Sequence, residues 1–161
     1  MTKLRDQSSS ANVADDIHLD QHLCFALHAA SRAFTRAYQP LLAPLDLTYP
    51  QYLVMLALWD RDDATVTELG DRLHLDSGTL TPLLKRLEQR GVVSRTRDPD
   101  DERRVRVYLT PEGQGLRTKA KKVLPALAAK AGFDLSQPRD VKRFAALRDE
   151  LRALTELLDN A

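Results

Sequence analysis

The sequence predicts a mainly helical chain carrying one small β-hairpin, and three observations predict it. Hydrophobic residues make up 43% of the 161 residues but aromatics only 6%, and glycine occurs six times, a balance that favours helices over a sandwich or barrel. Apolar residues recur at helical spacing along several stretches. Two short runs, residues 92–97 (VVSRTR) and 105–109 (VRVYL), flank the polar, turn-forming segment DPDDERR. The length suits one compact domain with a sizeable core.

The elements follow in order. Residues 1–16, with Ser8-Ser9-Ser10 and Asp15-Asp16, read as a loose arm. From Leu19 a stripe of Leu23, Leu27, Ala30, Phe34, Ala37 and Leu41 marks a helix, bent or broken by Pro40 and Pro44. Thr48-Tyr49-Pro50 opens a second helix, with Thr48 or Tyr49 near its cap, reaching about Arg61. After a turn at Asp62-Asp63, residues 65–74 form a short helix capped by Thr65 or Thr67, with Glu68 placed for a capping box. A turn at Leu75-Asp76 leads to a helix over about 77–90, stopped by Gly91. The hairpin follows. Thr110-Pro111 starts a long helix to about Ala131, bent near Pro125. A last helix over about 138–158 carries the stripe Val141, Phe144, Leu147, Leu151, Leu154 and Leu158.

Two helices joined by a tight turn and followed by a basic hairpin make the winged helix-turn-helix arrangement. Charge supports a nucleic-acid partner only once it is localised, because the formal net charge is +1. Residues 1–76 hold six Lys/Arg against eleven Asp/Glu, residues 77–106 eight against five, and residues 107–161 ten against seven. On the 77–90 helix, Leu80, Leu83, Leu84 and Leu87 form a core face. The opposite side presents Ser77, Gly78, Thr79, Thr81, Lys85 and Arg86, small and basic groups suited to a major groove, although a plain solvated helix has the same pattern. Pro82 removes a backbone donor if that helix begins at Ser77. Arg95, Arg97, Arg103, Arg104 and Arg106 line the hairpin, where a tip arginine suits the narrow minor groove. Asp101 is placed to brace Arg103 and so hold the wing's shape.

No apolar run approaches the roughly 20 residues that span a bilayer, and MTKLRDQSSSANVADD has no apolar signal core. The expectation is a cytoplasmic protein without a membrane partner. The single cysteine, Cys24, excludes a disulfide framework within the chain and a cysteine-rich zinc site. No cofactor and no metal are expected.

The stretch LDSGTLTPLLKRLEQRGVVSRTRDPDDERRVRVYLTPEG resembles the core of the MarR family, with DPDDER, a strand and LTPEG as the most specific part. The stretch LCFALHAASRAFTRAYQPLLAPLDLTYPQYL is similar to the one-cysteine organic hydroperoxide resistance regulators within that family. The likeness covers roughly residues 19–131. It implies one domain over 17–161, with dimerisation helices at 17–48 and 111–161 around a winged helix-turn-helix at 49–110. It also implies a homodimer on a pseudo-palindromic DNA operator, with repression lifted by oxidation, and no enzyme.

Cys24 sits beside the apolar stripe of the first helix, in line with His28, Ser31, Thr35 and Tyr38. A lone cysteine there reads equally as a small buried hydrophobe. The resemblance assigns it redox sensing and matches Tyr38 and Tyr49 to tyrosines that donate hydrogen bonds to the sensing sulfur from the partner subunit. Cys24 and Tyr38 are fourteen residues apart, about 21 Å on one straight helix at 1.5 Å per residue, so a contact requires a second chain. Hydroxyl donors favour thiolate, which attacks a peroxide O–O bond and becomes a sulfenic acid. Some members carry another tyrosine where this chain has His28, which either modulates ionisation or is a surface residue. Some resolve the sulfenic acid with a second cysteine. This chain has none, which implies a mixed disulfide with a low-molecular-weight thiol, or over-oxidation.

Two rival readings stand beside this one. The first is a repressor released by a phenolic or aromatic ligand lodged between the dimerisation helices and the DNA-binding lobe. The second is a thiol peroxidase, which needs its cysteine at a helix N-terminus; Cys24 follows Leu19 and Leu23 of a helix already running.

Overall fold

The computed structural model describes residues 18–161, so the arm expected at residues 1–16 lies outside the described residues. The chain divides into two compact units, Met1–Arg36 and Ala37–Ala161.

In the first unit, Leu19–Gln21 is a single 3₁₀ turn closed by the His22 N–H on the Leu19 carbonyl at 3.1 Å. Helix α1 (Leu23–Leu42) starts there, one turn later than the apolar period suggests, and continues into the second unit. Leu19 and Leu23 are both 61% exposed, and Phe34 is also exposed.

In the second unit α1 continues through Pro40. The break falls at Pro44, inside the 3₁₀ turn Ala43–Leu45 that ends on Asp46 in the left-handed region. Pro40 costs one backbone donor two residues before the helix ends, too late to stop it. Helix α2 (Tyr49–Asp60) is capped at Thr48, whose N–H donates to Gln51 Oε1 at 2.9 Å. It is apolar nearly all round, and Tyr52, Val54, Met55, Ala57, Leu58 and Trp59 are buried, as such a helix must be.

Strand β1 (Ala64–Thr65) leads into α3 (Val66–Leu73). Thr65 is its cap: its Oγ1 accepts from the Glu68 N–H at 3.2 Å, and Glu68 Oε2 accepts from the Thr65 N–H at 2.7 Å. Helix α4 (Ser77–Gln89) is capped by Asp76, and the chain leaves it through Gly91 at φ +78. Strands β2 (Val93–Arg97) and β3 (Val105–Leu109) form the hairpin, with Arg95 opposite Val107, and β1 pairs with the other edge of β3 through Ala64 and Val107. The sheet order is β1-β3-β2, all antiparallel. A two-residue strand leaves no periodicity, so β1 has no sequence signal.

Helices α5 (Pro111–Ala120) and α6 (Val123–Lys130) replace the single bent helix read from the sequence. The interruption lies at Lys121-Lys122, not at Pro125. Proline withholds the N–H that would bond the carbonyl four residues earlier, and its ring crowds that carbonyl, so the disturbance appears upstream, at Lys121. Helix α7 (Pro138–Asp159) ends the chain.

The core gathers α2, α3, α4, the sheet and α5: Leu58, Leu69, Leu80, Leu84, Leu87, Val92 and Val107 are wholly buried. Each such side chain contributes roughly 1.5–3 kcal/mol. The base of the wing is fixed by the Thr110-Pro111-Glu112-Gly113 start of α5. Thr110 donates its N–H to the Val92 carbonyl at 3.2 Å and its hydroxyl to the Gly91 carbonyl at 2.6 Å. Gly113 passes so close that a Cβ there would lie 2.0 Å from the Val92 oxygen, and the buried Trp59 Nε1–H donates to the Gly113 carbonyl at 2.9 Å. The glycine of the LTPEG stretch is thus a packing requirement. In contrast α7 buries none of its residues, and Val141, Leu147, Leu151, Leu157 and Leu158 stay exposed.

Candidate nucleic-acid interface

The first turn of α4 is held by one carboxylate. Asp76 Oδ1 accepts the Thr79 N–H at 2.8 Å and Oδ2 accepts the Thr79 hydroxyl at 2.9 Å, and these bonds hold the Asp76 pKa below its ordinary value. The helix therefore does begin at Ser77, with Pro82 inside it. The residue four before Pro82 is Gly78, which lacks a side chain. Leu80, Leu84 and Leu87 face the core while Leu83 is half-buried, and Ser77, Thr79, Thr81, Lys85 and Arg86 are exposed. Thr79 spends its hydroxyl proton on the cap, which leaves only its oxygen lone pairs for any further bond. Asp76 itself carries no periodic signal and reads from sequence only as a turn residue.

The wing lies against this helix. A cleft of about 260 Å³ is lined by Thr67 of α3, Thr81 of α4, and Arg95, Arg103 and Arg104 of the wing. Thr67 is a further candidate there, on the helix before the expected reader. The arginines divide by their partners. Arg95 gives Nε and Nη2 to Glu88 Oε2 of α4 at 3.0 and 2.6 Å, which lowers the Glu88 pKa and ties β2 to the recognition helix. Its side chain is 26% exposed. Arg103 is bonded to Asp101, by its N–H at 3.1 Å and its Nε at 3.3 Å, yet its side chain remains 92% exposed. Arg104 Nε lies 3.7 Å from the other Asp101 oxygen. Lys85, Arg86 and Arg97 make no ion pair among the described residues, so their charges are uncompensated.

The structure adds an ion cluster that the sequence does not announce. Asp98 is 5% exposed and pairs with Arg106, which also reaches Asp63, beyond the end of α2. Asp62 accepts the Leu109 N–H at 2.9 Å and Gln114 Nε2 at 3.3 Å. In sequence these residues are two turns more than thirty residues apart.

The cysteine belongs to the first unit. Cys24 is the second residue of α1 and is exposed, which excludes a small buried hydrophobe in the isolated chain. Because the 3₁₀ turn at Leu19–Gln21 is a separate element, Cys24 is in a first helical turn, contrary to the reading of a helix already running. His28 is exposed on the next turn. Tyr38 and Tyr49 lie in the second unit, with ring centroids 4.7 Å apart and Tyr52 5.7 Å from Tyr38. Burial, then the neighbouring Tyr49 and Tyr52, push the Tyr38 pKa up to about 12, and burial raises those of Tyr49 and Tyr52. These phenols keep their protons at neutral pH and are donors.

Known proteins share this architecture. The MarR family model matches residues 47–105. The chain is 51% identical over 140 residues to the HTH-type transcriptional regulator TtmR of Methylorubrum extorquens, covering 86% of this chain and 72% of that one. It is 46% identical over 129 residues to the organic hydroperoxide resistance transcriptional regulator of Bacillus subtilis, covering 78% and 88%. Among solved structures, reduced AbfR bound to DNA, a Staphylococcus epidermidis protein, matches with a TM-score of 0.72 at 34% identity over 88% of this chain and 93% of that one. With the winged helix-turn-helix geometry and these likenesses together, the chain belongs to the MarR family of transcriptional regulators.

Proposed function

We propose that the chain is a cytoplasmic redox-sensing repressor whose reduced homodimer binds a pseudo-palindromic duplex operator and lets go when an organic hydroperoxide oxidises Cys24. The likeness to the Bacillus regulator, whose name states organic hydroperoxide resistance, carries this reading. The exposed Cys24 on a first helical turn and the protonated Tyr38 and Tyr49 support it. Ser77, Thr79, Thr81, Lys85 and Arg86 meet the major groove, and Arg97, Arg103 and Arg104 follow the wing. Arg95 acts by holding the wing against α4, and Asp101 by holding Arg103.

In the reaction the Cys24 thiolate attacks one peroxide oxygen. The S–O bond forms as the O–O bond breaks, and the alcohol leaves with a proton taken from solvent. A small thiol then condenses with the sulfenic acid, releasing water and leaving a mixed disulfide. Donors from Tyr38 and Tyr49 of a second subunit orient the sulfur, and the added bulk disturbs the subunit interface.

The test pairs intact mass with operator binding after an organic hydroperoxide is added, with and without a small thiol. Release that tracks one thiol adduct per chain, mapped to Cys24, is the expected result. Release without any mass change at Cys24 contradicts the reading.

A second reading has one observation in its favour. An apolar cavity of about 410 Å³ between the end of α1 and α5–α6, lined by Pro40, Leu41, Pro44 and Val123 with Lys119 and Lys122, fits a phenolic or aromatic anion, although it lies among the segments assigned to dimerisation and not between them and the DNA-binding lobe. Displacement of DNA by such a compound from a Cys24→Ser variant favours it. The peroxidase reading requires turnover of peroxide with a reductant, many times per chain.

A further inference from the structure

Arg106 stands on the middle strand β3, opposite Thr96 of β2 and Thr65 of β1. Its guanidinium bridges two carboxylates. Nε donates to Asp98 Oδ2 at 2.7 Å, and Nη1 donates to Asp63 Oδ1 at 2.5 Å. Asp98 is the first residue of the wing loop and is 5% exposed. Its Oδ1 accepts the Asp100 N–H at 2.9 Å, and its own N–H donates to the Arg104 carbonyl at 2.9 Å. Asp63 lies in the turn that closes α2, held at φ +61. One planar fork therefore joins three segments: the strand beneath the wing, the start of the wing loop, and the end of α2.

The loop so held carries the exposed arginines 103 and 104 and follows Arg97. A flexible hairpin that must enter a narrow groove gains affinity by being ordered beforehand. The Asp63 partner is half-exposed, so that pair adds little to global stability and acts mainly on the local pose of the wing, whereas the nearly buried Asp98 needs its cation. Nε and Nη1 are committed to these two carboxylates, which turns the guanidinium toward Asp98 and Asp63.

We propose that Arg106 is a positioning residue for DNA binding, setting the pitch of the wing from the end of α2 through Asp98 and Asp63 without itself touching DNA. The proposal rests on the DNA-binding reading above. Lysine cannot replace it, because a single ammonium on a flexible stem keeps the charge but loses the planar two-way bridge.

The experiment measures binding of the reduced full chain to its operator duplex at several salt concentrations. It compares wild type with Arg106→Lys and Asp63→Asn, and follows amide hydrogen exchange at Asp98 and Arg104. Arg106→Lys is expected to weaken binding about tenfold with the salt slope unchanged, because every phosphate keeps its cation. Asp63→Asn is expected to weaken binding too, although it adds net positive charge to the protein. In both variants the two amides exchange faster, and in Asp63→Asn the thermal midpoint stays near wild type. Binding by Arg106→Lys equal to wild type, a slope reduced by about one, or tighter binding by Asp63→Asn overturns the proposal. Failure of the wild type to prefer operator over unrelated duplex overturns instead the DNA-binding reading on which it rests.

Discussion

In the proposed sensor Cys24 is the nucleophile and the tyrosines are its donors. An exposed sulfur on a first helical turn is accessible to a peroxide, and a phenol is useful to it only while protonated. Tyr38 meets that condition because the buried, neighbour-crowded ring holds its proton up to about pH 12. The sign follows from linkage. Between about pH 10, where an unfolded tyrosine ionises, and about 12, the unfolded chain has lost a proton that folded Tyr38 retains. The contribution is intact below about pH 10 and stability falls as pH rises through that window. Tyrosinate absorbance is expected to show a late-titrating step that Tyr38→Phe removes, and a titration complete by about pH 10 contradicts it. Cys24 was legible as a candidate from being the only cysteine. Its position on the helix was not, because a 3₁₀ turn and an α-helix share an apolar spacing over four residues.

At the scale of elements, the recognition helix and the wing are one unit, joined by Glu88 to Arg95 and by the core leucines of α4. Their uncompensated charges are Lys85, Arg86 and Arg97. Lys85→Ala and Arg97→Ala are each expected to weaken operator binding and flatten log K against log salt by about 0.9 for every phosphate left without its cation. An unchanged slope removes that residue from the phosphate contacts. The helices of this region were readable because caps and stops are local: Thr65 with Glu68, Gly91, and Thr110 with Pro111. The partners of the arginines were not. Arg106 finds Asp63 across 43 positions, and Arg95 finds Glu88 only once β2 folds back on α4. Of the arginines named from sequence, Arg95 is thereby turned inward to Glu88, while Arg97, Arg103 and Arg104 remain outward. The α5–α6 interruption was misplaced for a related reason: a proline's effect is exerted four residues upstream.

The whole molecule leaves apolar surface open in both units. Leu19, Leu23 and Phe34 are exposed in the first, and Val141, Leu147, Leu151 and Leu158 in the second. Stripes of this kind mark an interaction surface. A two-fold dimer covers like patches with like and sets two reading heads on one face of DNA. Leu147→Glu combined with Leu151→Glu is expected to shift sedimentation from dimer to monomer and lower operator affinity by at least a hundredfold, about 2.7 kcal/mol, with helicity kept. A dimer that survives both changes places the interface elsewhere.

Control of the operator by oxidation at one sulfur is put to the test by a peroxide titration of operator binding with the Cys24→Ser variant. Wild type is expected to release the operator as organic hydroperoxide is added, while the serine variant binds as tightly as reduced wild type and stays bound throughout. Release of the operator by the serine variant at the same peroxide concentration contradicts that control.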